Sequence, residues 1–232
     1  MKRRELLAGF ALAGVELEAQ SSMESLYIPK PHLVEDRKFL HDFMEEFSFV
    51  DLVTAAPSIR ITHIPVLLDR TTGRYGTIRG HISRQNPQSA TFTRQDAAVI
   101  AFRGPHSYIS PAWYQTAQAV PTWNFGMVHA SGKLKAIEDK TTLHGLLAQL
   151  IHKFESYEGT SYDFTKLPES YVNGMIGGII GFEMEIENLE GKFKLGQERS
   201  EADRQGILKG LASAKHARGI RELTEAFYRR TV

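Results

Sequence analysis

Polar and basic side chains cluster at the end of one strand-like segment, where they could bind a phosphate. The segment Gly80-His81-Ile82-Ser83-Arg84-Gln85-Asn86-Pro87 places a hydroxyl, a guanidinium and an amide within four residues. Arginine can contact two oxygens at once, and a loop after a strand leaves backbone N–H groups free to join it. The alternative interpretation is a polar turn that ends at Asn86-Pro87 and needs no ligand. On the residues alone, both interpretations stay open.

The histidines suggest a metal site, but their spacing does not support one. The chain has nine histidines and none forms an H-x-x-x-H or H-E-x-x-H pair. Scattered histidines such as His63, His81, His106 and His129 are more often hydrogen-bonded within strands than bound to metal. The absence of cysteine excludes disulfides, thiolate catalysis and Cys-based metal sites. We therefore predict no metal site.

Two glycine-rich segments resemble nucleotide-binding loops without meeting their requirements. Gly126–Lys133 has five residues between its glycines and Leu134 where a P-loop needs Ser or Thr. Gly174–Gly181 precedes an alternating strand pattern, whereas a dinucleotide fingerprint must lead into a helix. The sequence also contains no G-x-S-x-G motif, so acyl transfer by a serine has no support. Glycines in these segments more often permit close packing.

The elements that must position the strand-end cluster are mostly strands. Apolar residues at helical spacing predict helices over 35–47 and 141–156, the second capped by Asp139 or Thr141, and two short helices within 201–228. Alternation over 180–187 predicts a strand, with a turn at 188–191 leading into a last strand at 192–195. The other predicted strands are 49–55, 59–68, 77–83, 97–103 and 124–137. This pattern favours a mainly β (α+β) fold, an antiparallel barrel with peripheral helices.

Charge and the amino-terminal segment limit the partners. Lys and Arg number 28 against 27 Asp and Glu, so the net charge of +1 gives no general attraction to nucleic acid or membranes. Residues 1–22 place Arg3-Arg4 before a short apolar run, which predicts either a twin-arginine-like export signal or a misassigned start codon. That run is too short to span a membrane. The folded domain is expected over 23–232.

The order of several uncommon segments resembles the PaiB-type FMN-binding negative transcriptional regulators. The resemblance covers about residues 26–212. It rests on Leu26–Lys30, Thr62–Asp69, Gly80–Pro87, Phe102–Tyr114, Val120–Asn124, Val128-His129, Gly181–Glu183, Leu189–Leu195 and Asp203-Arg204. By this resemblance we expect an FMN-binding split β-barrel that holds FMN at the interface of a homodimer.

The resemblance also implies which residues hold FMN. The strand-end cluster would meet the phosphate, one histidine of the preceding strand would lie near the flavin, and the late hairpin would reach in. A tryptophan would line the pocket or the subunit contact, as large aromatic residues often do. The candidate cofactor-binding residues are His63, His81, Ser83, Arg84, Asn86, Trp123, Lys192, Lys194 and Gln197. No catalytic residue is predicted.

Two functions remain open. The family resemblance implies a cytoplasmic regulator that lowers gene expression, although no helix-turn-helix signature is present and direct DNA binding is expected to be weak. Arg218, Arg221, Arg229 and Arg230 make the tail locally basic, which a solvated helix face explains equally well. The alternative is an FMN-dependent oxidoreductase or flavin reductase of the pyridoxamine-phosphate-oxidase-like group. Export of the protein would favour the alternative, because an exported protein does not meet the chromosome.

Overall fold

The computed structural model describes residues 25–214, 217 and 219–230. These residues contain nine strands and six α-helices. The strands are β1 (Leu33–Val34), β2 (Phe49–Thr54), β3 (Arg60–Pro65), β4 (Leu67–Asp69), β5 (Thr77–Ser83), β6 (Ala97–Ile109), β7 (Thr122–Ile137), β8 (Ile179–Glu185) and β9 (Asn188–Lys194). The helices are α1 (Arg37–Glu46), α2 (Ala90–Thr93), α3 (Lys140–Glu158), α4 (Glu169–Gly177), α5 (Glu201–Ser213) and α6 (Ile220–Tyr228).

The long strand β7 connects the two halves of the sheet. One edge of β7 pairs with β6 along nearly its whole length, with a register shift between Arg103 and His106. The other edge pairs first with β9 and then with β8. The strand order is β3-β2-β6-β7-β8-β5-β4, with β9 between β7 and β1. Every pairing in the described residues is antiparallel, and this arrangement matches the predicted split barrel with peripheral helices.

Strict alternation along the strands creates the barrel core. In β8, Ile180, Phe182 and Met184 are buried, and in β7 Val128 and Ala130 lie on the inner face. Phenylalanines from α1, β9 and α6 pack against one another at one end of the barrel, which attaches these elements to the sheet. A smaller core lies between α3, α4 and β8 and contains Ile137, Leu143, Phe164, Val172 and Ile176.

The predicted helices agree with the structure and their caps explain where they begin. Asp36 and Asp139 accept hydrogen bonds from the first-turn N–H groups of α1 and α3, and α3 ends at Gly159 with a positive φ of 67°. The two predicted carboxy-terminal helices are α5 and α6. The amino-terminal segment 1–22 lies outside the described residues.

Two local expectations were wrong, and the structure adds two helices that the sequence did not predict. Asn188–Gly191 is not a turn, because β9 begins at Asn188 and the chain turns two residues earlier. The predicted strand 59–68 divides at Val66 into β3 and β4. The loop from Gln85 to Asp96 contains α2, and the glycine-rich segment before β8 forms α4.

Candidate functional site

A cavity of about 540 Å³ opens where β3 and β5 end beside α4. Its polar lining residues are Thr62, His81, Ser83 and Asn86. The rest of the lining consists of apolar residues and glycines. Its members are Ile64, Pro65, Ile82, Gly174, Met175, Gly178 and Ile179. Three of the predicted cofactor-binding residues therefore line one cavity.

Asn86 has a structural role at the floor of this cavity. Its Oδ1 accepts a hydrogen bond from the Gln88 N–H, and its Nδ2 donates to Thr62 Oγ1 at 3.0 Å. Thr62 in turn donates to Gln88 Oε1 at 2.5 Å. Gln88 is fully buried and donates to the Leu52 carbonyl and to Thr54 Oγ1. This network fixes the turn after β5 against β2 and β3, which holds the polar lining residues of the cavity in place.

The imidazole ring of His81 lines the cavity. Burial lowers its pKa below the ordinary value of 6.5. Its Nδ1 is shielded from solvent and has no hydrogen-bond partner among the described residues. A buried ring nitrogen without a partner costs free energy, but because this atom is shielded, a ligand in the cavity does not reach it unless the ring moves.

Ser83 lines the cavity, whereas Arg84, the next residue, does not. The Ser83 Oγ accepts the Gln85 N–H at 3.2 Å, which leaves its O–H able to donate to a ligand. The Arg84 backbone N–H binds the Gly178 carbonyl, while its guanidinium contacts Glu138 Oε1 at 3.0 Å. Arg84 is thus close to the cavity but already paired with a carboxylate, a competition that the sequence did not reveal.

Except for Gln197, the remaining predicted residues lie on the outer face of the sheet formed by β3, β2, β6, β7 and β9. His63 Nδ1 contacts Asp51 Oδ1 at 2.5 Å, and Arg103 binds the other oxygen of Asp51 at 3.2 Å. Trp123 is exposed on this face beside His106 and Tyr108. The outer face therefore combines charged groups with aromatic surface.

Lys192 and Lys194 lie on β9, at the same end of this outer face as Trp123. Lys192 Nζ donates to the Tyr27 carbonyl at 2.6 Å and Lys194 Nζ donates to Thr122 Oγ1 at 2.5 Å. Gln197 differs from these lysines, because its amide binds the backbone of Leu195, Phe193 and Pro31. Gln197 braces the end of β9 and has its amide occupied by that role.

Neither β9 lysine lines the strand-end cavity of its own subunit. Lys192 pairs with Met127 of β7, whereas Gly181, the partner of His81, pairs with Ile137, ten residues away. By the other path round the barrel, the cavity residue Thr62 is aligned through Leu52 and Ile100 with Ala130, three residues from Met127. The lysines therefore lie outside the cavity because they are on the outer face of the sheet, and the register alone does not set the distance between the two groups.

Sequence reasoning missed four residues of this region. Arg60 lies on the same face of β3 as Thr62, and within the described part of the chain its side chain forms no ion pair. Gly174, Met175 and Gly178 reach the cavity from α4 and its carboxy-terminal cap. The glycine-rich pattern of α4 was a usable signal, because glycines often mark a close approach to a ligand.

The described residues offer little support for other kinds of site. No group of three or more His, Asp or Glu among them could hold a metal ion. Within the same residues, no helix has the length and apolar character needed to cross a membrane.

Comparison with known proteins decides the family. Residues 26–188 match the family model described as "Putative FMN-binding domain". The chain belongs to this family. It is 32% identical over 203 residues to protease synthase and sporulation protein PAI 2 of Bacillus subtilis (strain 168), covering 86% of this chain and 97% of that protein. It is also 30% identical over 236 residues to an uncharacterized protein of Aspergillus fumigatus, covering 80% and 90%. The resemblance to PaiB-type proteins is thereby confirmed, and FMN is the cofactor, as the sequence predicted.

Solved structures confirm the fold. The flavocytochrome Anf3 from Azotobacter vinelandii superposes with a TM-score of 0.53 at 10% identity, covering 72% of each chain. The FAD and heme binding protein from Mycobacterium smegmatis gives a TM-score of 0.51 at 13% identity, covering 77% of this chain and 80% of that one. At such identities the likeness concerns the fold alone.

The strand-end cavity fits FMN by its size and its chemistry. Its volume lies within the range of about 300–1,000 Å³ that small-molecule sites occupy. Its lining includes Ser83, whose O–H is free to donate, and the ring of His81, while Arg84 is the residue after Ser83 and does not itself line the cavity. The rest of the lining is apolar, as an isoalloxazine ring requires. Among the described cavities, this one combines both properties next to the predicted phosphate-binding residues.

Proposed function

We propose that this protein is a homodimeric FMN-binding regulator of the PaiB-like kind and that FMN occupies the strand-end cavity. The observation that carries this proposal is the cavity itself, which joins Ser83, His81 and the nearby Arg84 to an apolar wall. The phosphate would lie toward Arg84 and Ser83, and the ring toward the apolar wall. When bound, FMN supplies hydride and single-electron transfer.

The outer sheet face supports the homodimer. Phe49, Ile61 and Trp123 are each more than half exposed there, and Tyr108 lies beside Trp123. Monomeric proteins seldom expose large aromatic and aliphatic side chains on one continuous face, whereas subunit interfaces are enriched in them. A second copy of the chain is the occupant we propose for this face. The face then places the β9 lysines and His63 at the subunit contact.

The regulatory role does not require strong direct DNA binding. Two of the four tail arginines are paired with carboxylates, Arg221 with Glu225 and Arg230 with Asp36. Paired arginines release fewer counterions from DNA, and the net charge of +1 adds little attraction. We propose that the protein acts through its flavin or a partner, and that the isolated dimer binds DNA weakly and without sequence preference.

A second candidate is an FMN-dependent oxidoreductase. It is favoured by the position of the apolar wall, where Met175 is well exposed beside the cavity. A second reactant could reach a flavin bound against this wall. Consumption of NADH or NADPH by the FMN-loaded protein would favour this candidate, while its absence together with tight promoter binding would favour a direct repressor.

Two measurements test the proposal as a whole. Purified protein should show the visible spectrum of a bound flavin, and denaturation should release FMN rather than FAD or riboflavin. DNA binding should be weak, and it should decline steeply as the salt concentration rises. A preparation that neither retains nor takes up FMN would contradict the cofactor site, and a tight footprint on one promoter at physiological salt would contradict weak DNA binding.

A further inference from the structure

Helix α4 contributes an unusual surface to the strand-end cavity. Gly174 and Met175 lie in its last turns, and Gly178 caps its end. All three line the cavity. The opposite face of the helix carries Val172 and Ile176, which are buried in the small core under α3. Because Val172 and Ile176 pack into that core, the face of α4 that carries Gly174 and Met175 lies toward the cavity.

Packing within the chain does not explain the glycine at position 174. A Cβ added to Gly174 would meet no atom within 4 Å, and its backbone has no positive φ that would favour glycine. Glycine in a helix interior lowers helix stability relative to alanine. A group outside the chain that approaches the helix backbone closely would account for this residue.

The side chain of Met175 is likewise not explained by packing within the chain. It is 59% exposed although it is large and apolar, and it borders the cavity. A thioether makes favourable contacts with aromatic rings, and a flexible methionine adapts to their shape. A smooth glycine surface beside a methionine suits one face of a flat ring.

We propose that Gly174, Met175 and Gly178 form the wall against which the isoalloxazine ring of FMN lies. This inference rests on the proposed flavin site and adds to it a ring-binding surface separate from the phosphate-binding residues. His81 lines the same cavity, but its Nδ1 is shielded from solvent, so the surface that this inference assigns to the ring is the one on α4. The phosphate and the ring would thus be recognised by different elements, the end of β5 and helix α4.

Substitution of Gly174 gives the sharpest test, because the apoprotein has room for the new side chain. Gly174→Ala should leave the apoprotein as stable as wild type or more stable, since alanine is the better helix former. The added methyl group should nevertheless meet the ring and weaken binding of both FMN and riboflavin about tenfold. Gly177→Ala is the matched control, because position 177 is equally open but does not line the cavity. It should leave both affinities unchanged.

Met175→Ala provides a second arm. It should weaken FMN and riboflavin alike, by about three- to tenfold, because the ring is common to both flavins. Tyr171→Ala is its control, since Tyr171 lies one turn earlier on α4 and is 58% exposed but does not line the cavity. Titration of each variant with both flavins, followed by fluorescence quenching, gives the four affinities.

The outcomes separate this inference from the proposed function. Weakened binding of both flavins by Gly174→Ala and Met175→Ala, with unchanged controls, supports the α4 wall. Wild-type affinity in these two variants, in a protein that binds FMN, overturns the wall and leaves the cofactor site standing. Failure of the wild type itself to bind either flavin overturns both.

Discussion

Because Arg84 is paired with Glu138, the phosphate assignment can be tested with one variant that should weaken FMN binding and one that should strengthen it. The two side chains are 43% and 57% exposed and 3.0 Å apart. An exposed pair of this kind contributes about 0–1 kcal/mol, so a phosphate can draw Arg84 away at small cost. A hydrogen bond to a charged group contributes about 1.5–3 kcal/mol. The net contribution of Arg84 to FMN binding is therefore on the order of 0.5–3 kcal/mol.

Arg84→Ala should accordingly weaken FMN binding by roughly 2- to 140-fold, at about 1.4 kcal/mol per factor of ten. Glu138→Gln should strengthen it by about two- to fivefold, because the substitution frees the guanidinium and removes a negative charge near the phosphate. Riboflavin, which lacks the phosphate, should bind both variants as it binds the wild type. Fluorescence titration with the two flavins measures all of these affinities. If Arg84→Ala binds FMN as tightly as wild type, the strand-end cluster is a polar turn and the reasoning is refuted.

Three further predictions concern assembly and stability. Light scattering of the wild type should give twice the 26.1 kDa chain mass. Trp123→Asp should convert the protein to a monomer. A wild type that is monomeric at micromolar concentration would argue against the dimer. A chain that starts at Met23 should be as stable as the full chain. A chain that starts at Pro29 should lose about 2 kcal/mol of unfolding free energy in denaturant, because Glu190 loses its hydrogen bonds to residues 25 and 26. An equal loss of stability in both shortened chains would contradict this prediction. Hydrogen bonds from Thr116 and residue 115 lower the pKa of Asp203, so the stability that this carboxylate adds is present above the unfolded pKa and is lost as the pH falls through the lower folded pKa. The difference in unfolding midpoint between wild type and Asp203→Asn should therefore become smaller in acid. A difference that does not change with pH would contradict this role of Asp203.

Much of the fold could be predicted because its signals are local. Alternation in β7 and β8 and the capped pattern of α3 depend on neighbouring residues, and each appears where the sequence placed it. The turn expected at 188–191 failed for a non-local reason. Turn-forming residues are present there, but Glu190 is buried and binds the chain at Ser25, 165 residues away, which holds the segment in strand β9.

The candidate site was less predictable for the same reason. The cluster at the end of β5 was visible in the sequence because its polar residues are adjacent. The pairing of Arg84 with Glu138 spans 54 residues, and the use of Asn86 in the network around buried Gln88 depends on three strands meeting. Helix α4 was missed because glycines lower helix propensity, and its stability comes from Val172 and Ile176 in the small core.

The separation of the two groups of candidate residues bears on how FMN is held. His81 and Ser83 line the strand-end cavity, while Lys192 and Lys194 lie on the outer face of the sheet and do not line it. If both groups bind FMN, the lysines must come from a second subunit, and a dimer-breaking change at Trp123 must then weaken FMN binding as well. Loss of the dimer with full FMN affinity would instead assign the whole site to a single subunit and leave the lysines outside it.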